Sequence, residues 1–310
     1  MMEKHISVLL NETISSLNLN ENSIIVDATL GYGGHSSNIL ERINMGYLFA
    51  FDQDSEAIRH STDRLSKIGA NFTIVQSNFV HMKEELEKRG VSQVDGVLFD
   101  LGVSSPQLDD EERGFSFHHD AKLDMRMDQS QKLTAYDVVN TYSREKLTRI
   151  FYEYGEDRFS SNIAKKIVEY REKKPIETTL ELVEVIKSAV PMKFRLEKHP
   201  ARQIFQAIRI EVNHELDVLE PALEQALDLI KVGGRVCVIT FHSLEDRIVK
   251  NYFKKKCEIN EKVKGMPNIP SEYLPDFRLV TNKAIVPSEE ELQENPRARS
   301  SKLRVIERVK

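Results

Sequence analysis

Three glycines in four positions, Gly31, Gly33 and Gly34, follow an apolar run in VDATLGYGGHSSNIL (26–40), so the chain must bend there with almost no side-chain bulk. Such a bend makes room for a ligand. Three candidates compete: a phosphate under a P-loop, a dinucleotide pyrophosphate on a Rossmann turn, or another nucleotide-like cofactor. A P-loop requires a lysine after its glycines, and none follows here. The dinucleotide pattern G-x-G-x-x-G fits at Gly31 and Gly33 but meets Ser36 where its third glycine belongs, and it does not ask for Gly34 or His35. Asp52 closes the run YLFAFD, 19 residues after Gly33 and 21 after Gly31. That is near the roughly 20-residue spacing at which an acid meets a ribose hydroxyl. Turn and acid together favour a nucleoside cofactor and leave the pyrophosphate open.

The elements that must hold these residues follow from the pattern around them. β-branched Ile24, Ile25 and Val26 precede the turn and Ser36 to Arg42 reads as a helix start, which makes a strand–turn–helix unit. Strand-like runs at 23–28, 47–51, 72–76 and 94–99 alternate with helical stretches at 54–68 and 80–89, the rhythm of a parallel α/β sheet. The next comparable strand, GGRVCVITF, comes only at 233–241. A βαβ crossover needs a few tens of residues at most, so something is inserted. Ile163, Ile167 and Tyr170, then Leu182, Ile186 and Val190, repeat at helical spacing within the gap. The expected organisation is a sheet domain from 1–108 and 207–310, interrupted by an all-helical domain at 109–206. A helix from about 207 to 231 returns to the sheet, with Gly233 and Gly234 as its stop.

Composition bounds the class. The chain has 310 residues, 40% hydrophobic and 30% charged, enough for one large core and a smaller one. No apolar run approaches the roughly 20 residues of a membrane span, and the start of the chain is too charged for a signal peptide. Cys237 and Cys257 lack pairing motifs and metal-ligand spacing, so free thiols in a reducing cytoplasm are expected, and no metal. The net charge of −5 does not advertise a nucleic-acid binder, yet residues 247–264 hold seven Lys/Arg against two acids, and 293–310 hold six against two. A basic run at 193–203 adds a third segment suited to a polyanion.

The fourth strand run narrows the cofactor. VDGVLFDLGVSSPQLDD (94–110) ends its apolar stretch at Asp100. In open α/β sheets the ligand crevice lies outside the carboxyl ends of the strands, so Asp27, Asp52 and Asp100 are expected to converge there. Carboxylates repel a phosphate and favour a cationic ligand. A sulfonium, as in S-adenosylmethionine, meets that condition.

DATLGYGGHS, DLGVSSPQLDD, RGFSF (113–117), LDMRMD (123–128), HPARQIFQAIRIEVN (199–213), FHSLEDR (241–247) and NPRARSSKLRVIERV (295–309) together resemble the bacterial 16S ribosomal RNA cytosine-N4 methyltransferase family, in order and across almost the whole chain. The resemblance implies a class I, Rossmann-like S-adenosylmethionine-dependent methyltransferase sheet with an inserted helical domain. It implies the small ribosomal subunit as partner and the cytidine at position 1402 of its 16S rRNA as target. Gly33, Gly34 and His35 match the family's cofactor loop, Asp52 the acid that takes the ribose hydroxyls, and Phe79 the position that packs on the adenine. Asp100 and Gln107 complete the cofactor contacts. What the His35 ring contributes is not indicated.

A methyl group on a sulfonium is already activated, so catalysis is mainly placement of an in-line nucleophile. The N4 of cytosine is a poor nucleophile because its lone pair is delocalised, and a hydrogen-bond acceptor at N4–H would localise it. Amino-methyltransferases usually supply that acceptor from [DN]-P-P-[YF], where this chain carries DLGVSSP. Asp100 is the candidate at that position, and Phe115 or Phe117 are candidates to stack on a flipped base. Two other classes stay open from the residues alone: a non-catalytic RNA-binding or assembly protein, and a methyltransferase acting on small molecules or protein. A homodimer is compatible with the sequence.

Overall fold

The computed structural model describes residues 7–195, 199–259, 261–263 and 265–310. The chain divides into two compact units, one formed by Met1–Gly102 and Leu216–Lys310, the other by Val103–Glu215. The insertion is therefore wider on both sides than the 109–206 expected. The cause is the helix Ala201–Asn213, whose apolar face of Ile204, Phe205, Ile208 and Val212 packs in the core of the helical unit. It is a separate element from Leu219–Leu229, which packs in the core of the sheet unit, so one helix from 207 to 231 is replaced by two.

Among the described residues the first unit holds one sheet of seven strands: β1 (Ile24–Asp27), β2 (Tyr47–Asp52), β3 (Phe72–Gln76), β4 (Val94–Asp100), β5 (Ile230–Thr240), β6 (Phe277–Leu279) and β7 (Lys302–Arg308), in the spatial order β3-β2-β1-β4-β5-β7-β6. Strands β1 to β5 pair in parallel, while β7 runs antiparallel to both β5 and β6. The fold is a Rossmann-like α/β sheet. Consecutive residues feed opposite faces, as a pleated strand requires. Val26, Phe49, Phe99 and Val238 join one buried cluster, and their neighbours Ile25, Leu48, Leu98 and Cys237 join the other. Each fully buried side chain of this size is worth about 1.5–3 kcal/mol.

Two strand expectations are corrected. β5 begins at Ile230, three residues before the Gly233 expected, so that Gly233 and Gly234 lie inside it. The register with β4 jumps between Val94 and Gly96, and Gly233, at φ +83°, turns the extra residues out of the ladder. β6 and β7 lie in the C-terminal region, for which no strand was expected.

The second unit is helical: Ala135–Thr141, Arg144–Glu153, Ser160–Arg171, Thr179–Ala189 and Ala201–Asn213 surround a core of their own. Thr134 with Asp137, and Thr178 with Glu181, form capping boxes that fix two of the helix starts. Ile163, Ile167, Leu182, Ile186 and Val190 are buried as their spacing requires. Tyr170 is instead 38% exposed, its hydroxyl favouring the wet edge of the stripe.

Candidate cofactor site

The chain order of the parallel strands reverses between β1 and β4, and ligand crevices in such sheets open there, beyond the strand carboxyl ends. The glycine turn leaves β1 at this point. Gly31 and Gly33 take φ +50° and +73°, a region that side chains strain to enter. Gly33 caps the helix Gly34–Leu40, and its own N–H donates to the Leu30 carbonyl at 2.9 Å. A Cβ on Gly34 would stand 1.8 Å from the Ser7 hydroxyl, so the turn is packed tightly under the N-terminal segment.

Asp52, at the end of β2, reaches back to the turn. Its Oδ2 accepts the Gly31 N–H at 2.8 Å and its Oδ1 accepts the Asp54 N–H at 2.9 Å. Desolvation pushes this carboxyl up to about 6, against the lowering by those two amide donors. Each oxygen keeps a lone pair for a further donor, as a ribose hydroxyl would require. Ser61 supports the turn from the next helix, its hydroxyl donating to the Gly31 carbonyl at 2.7 Å.

Asp27 does not join the other two acids at a ligand. It is buried, its Oδ2 accepting the Ser36 hydroxyl at 2.6 Å and its Oδ1 the Thr29 N–H at 3.1 Å, and burial raises its pKa. It closes the turn internally. The convergence of three acids is thereby reduced to two.

Asp100, at the end of β4, is fixed twice. Its N–H donates to the Thr29 hydroxyl at 2.6 Å, tying β4 to the residue beyond β1. Its Oδ2 lies 3.4 Å from Nδ1 of His35, and the other ring nitrogen, Nε2, is 3.1 Å from the Val8 carbonyl. The His35 ring is buried, which by itself lowers its pKa most strongly. The hydrogen bond and charge of Asp100, the charge of Asp27 and the Val8 carbonyl outweigh that and leave the pKa raised. Both ring nitrogens are thus engaged within the protein. Asp100 Oδ1, in contrast, is buried and has no hydrogen-bond partner among the described residues. An unpaired buried carboxylate oxygen beside a glycine turn fits a ligand that brings its own donor, such as an amino group.

Phe79 follows β3 in a short 3-10 turn, half-buried, with its ring edge-on to Phe99 at 5.6 Å and 88°. Gln107 belongs to the helical unit, where its Oε1 accepts the Ser104 N–H at 3.1 Å. Thr29, Ser61 and Val8 were not anticipated. Only Thr29 carried any signal, as a hydroxyl inside DATLG.

Four of the motifs outside the crevice make structural contacts. Within the helical unit, the Arg113 Nη2 donates to the carbonyls of Arg126 and Met127, and Met125, at φ +58°, donates its N–H to the Arg113 carbonyl. Asn213 receives the Met127 N–H at 2.8 Å and donates to the Met125 carbonyl at 2.8 Å. RGFSF, LDMRMD and the end of HPARQIFQAIRIEVN are therefore one knot. In the sheet unit, Asp246 of FHSLEDR holds Lys302 at 2.9 Å and Arg304 at 2.7 Å, anchoring β7. Phe115 is buried in the helical core, and Phe117 is half-buried with its ring stacked on His199 at 4.6 Å and 17°.

A profile of the MraW methylase family matches residues 2–309. Ribosomal RNA small subunit methyltransferase H of Exiguobacterium sibiricum is 54% identical over 310 residues, which cover 100% of this chain and 99% of that protein. Among solved structures, an rRNA methylase from Streptococcus thermophilus covers 100% of both chains at 14% identity and a TM-score of 0.43. A SAM-dependent O-methyltransferase from Thermotoga maritima covers 100% of this chain and 69% of that one, at 10% identity and a TM-score of 0.42.

Proposed function

This chain belongs to the MraW methylase family, and from that premise we infer that it transfers a methyl group from S-adenosylmethionine to the exocyclic N4 of cytidine 1402 in the 16S rRNA of the small ribosomal subunit. The observation that carries the reading is the 54% identity, over the whole chain, to a ribosomal RNA small subunit methyltransferase.

When bound, the cofactor supplies a methyl group already activated by the sulfonium. The protein's part is to hold and orient. Asp52 accepts the ribose hydroxyls, and Gly33 and Gly34 let the backbone come close, their missing side chains being a condition of the fit. Phe79 packs on the adenine, its ring set in a T-shaped contact with Phe99. Asp100 takes a cofactor donor on Oδ1. Two carboxylates in the crevice also suit a positively charged ligand.

The helical unit grips the RNA. Its surface carries cations stacked on aromatic rings, with the Arg158 guanidinium 3.7 Å over the Phe194 ring and Phe159 beside it at 5.3 Å. Single-stranded RNA is held by such arrangements of planar rings and guanidinium groups. These residues adjoin the basic run 193–203, of which 196–198 lie outside the described residues. Among the described residues no helix is long and apolar enough to cross a membrane. The reading sets the enzyme in the cytoplasm with the particles it modifies, and light scattering would report whether it is a homodimer.

Incubation with methyl-labelled S-adenosylmethionine and, in parallel, small subunits, naked 16S rRNA or cell extract tests the function. Label recovered as N4-methylcytidine from subunits or rRNA is the expected result. Label found only in protein or small molecules would overturn it.

A further inference from the structure

His35 is the residue whose chemistry the family loop leaves open, and the structure gives its ring an occupation that is not contact with a ligand. The ring is 5% exposed, with Nδ1 3.4 Å from Asp100 Oδ2 and Nε2 3.1 Å from the Val8 carbonyl. A carboxylate at a strand end turns freely about its Cβ–Cγ bond unless one oxygen is held. Here Oδ2 lies 3.4 Å from the His35 ring, and Oδ1 is buried with no partner among the described residues.

We propose that His35 is a positioning residue: anchored on the Val8 carbonyl, its imidazole fixes the Asp100 carboxylate by Oδ2, so that Oδ1 is preset for the donor of the cofactor. The cofactor then meets residue 35 only through its backbone. The physical gain is preorganisation, since a carboxylate already locked in its bound orientation loses little rotamer freedom on binding. The anchor is itself braced. The Leu9 N–H donates to Glu291 Oε1 at 2.7 Å, and Leu9 is fully buried at φ +50°, which leaves the Val8 carbonyl little room to shift. Asp27 and Glu291 are the other acids whose charge bears on the ring, and neither is paired with it by a hydrogen bond. The inference rests on the reading of this crevice as an S-adenosylmethionine site.

Two amides separate the roles of the two ring nitrogens. Asparagine places its side-chain N–H near the position of Nδ1, and glutamine places its own near Nε2. H35N therefore keeps a donor for Asp100 and loses the Val8 anchor, while H35Q does the reverse. Every variant keeps the backbone N–H of residue 35. The experiment measures affinity for S-adenosylhomocysteine by calorimetry, and thermal unfolding, for wild type, H35N, H35Q, D100N and H35Q/D100N. H35Q and D100N should each weaken binding roughly tenfold or more, as loss of a hydrogen bond to a charged group does. The double variant should be no weaker than D100N alone, because the positioned group is already gone. H35N should lose less affinity than H35Q but more thermal stability, a split that a merely structural histidine would not give. Additive losses in the double variant would overturn the proposal. So would an H35N that binds worse than H35Q, or coupling seen in turnover at saturating cofactor and absent from affinity. Failure of the folded wild type to bind S-adenosylhomocysteine would be a different result, removing the cofactor reading beneath it.

Discussion

Asp52 has to serve two states with one carboxylate. Without ligand its folded pKa of about 6 lies above the ordinary 3.8, so its contribution to stability is full below 3.8 and is lost as pH rises through about 6. Ligand binding reverses the preference, because ribose hydroxyls donate to the ionised form and favour it. A proton must therefore leave Asp52 on binding whenever the pH is below about 6. Affinity for S-adenosylmethionine should fall by up to about tenfold per pH unit below that point and be flat above it. Calorimetry between about pH 5 and about pH 7.5 in buffers of different ionisation enthalpy would read both the affinity and the released proton. D52N should abolish the slope and lower the plateau, and D52A should lose about 1.5–3 kcal/mol for each charge-assisted bond before water compensates. A wild-type slope that persists in D52N would assign the proton to another group. The neighbouring Asp54 is the nearest acid whose charge already acts on Asp52.

The knot of the helical unit makes a prediction about elements. Asn213 ends the helix Ala201–Asn213 and is 8% exposed, with its amide bonded to Met125, Met127 and the Arg209 carbonyl. Asn213→Ala removes three hydrogen bonds and leaves buried partners unpaired, at about 2–4 kcal/mol in denaturant unfolding. Gly114→Ala should cost a comparable amount, since Gly114 sits at φ +72° and a Cβ there would stand 2.3 Å from the Lys122 carbonyl, which is backbone and cannot swing aside. Either substitution leaving the unfolding midpoint within error would mean the knot is not what holds these segments. None of it was legible in advance, because RGFSF and LDMRMD have no periodicity and their bonds join residues as far apart as 125 and 213. β1 to β4 were legible, each being an apolar run, and three of them ending in an acid. β7 was not: KLRVIER interleaves charged and apolar residues, as an antiparallel strand does, and has no continuous apolar run to mark it. Gly233 and Gly234 resemble a helix stop and are a bulge inside β5. In the helix expected from about 207 to 231, nothing in the spacing says that Ala201–Asn213 packs in one core and Leu219–Leu229 in another. At the crevice, spacing along the chain singles out Gly31, Gly33 and Asp52, and the strand end singles out Asp100, whereas His35 on Val8 and Asp100 on Thr29 span 27 and 71 residues and leave no local trace.

Each unit of the molecule carries its own core, so binding of the cofactor and use of it should be separable by experiment. The sheet unit buries apolar side chains on both faces of its strands, and the helical unit buries its own among five helices, so each has the means to fold by itself. The sheet unit loses no strand when Val103–Glu215 is removed, since β4 ends at Asp100 and β5 begins at Ile230. Leu219–Leu229 remains between them as the helical crossover that a parallel pair requires. Replacing 103–215 by a short Gly/Ser linker should therefore leave a folded sheet unit that retains Gly33, Gly34, His35, Asp52, Phe79 and Asp100. That sheet unit should still bind S-adenosylhomocysteine. Methylation of small subunits should fall to background, because the surface that stacks Arg158 on Phe194 goes with the insertion. Calorimetry, circular dichroism and the labelling assay on the one shortened protein decide the matter. A folded sheet unit that binds cofactor and still methylates RNA would take RNA recognition away from the helical unit, and a chain that no longer folds would show that the two cores depend on each other.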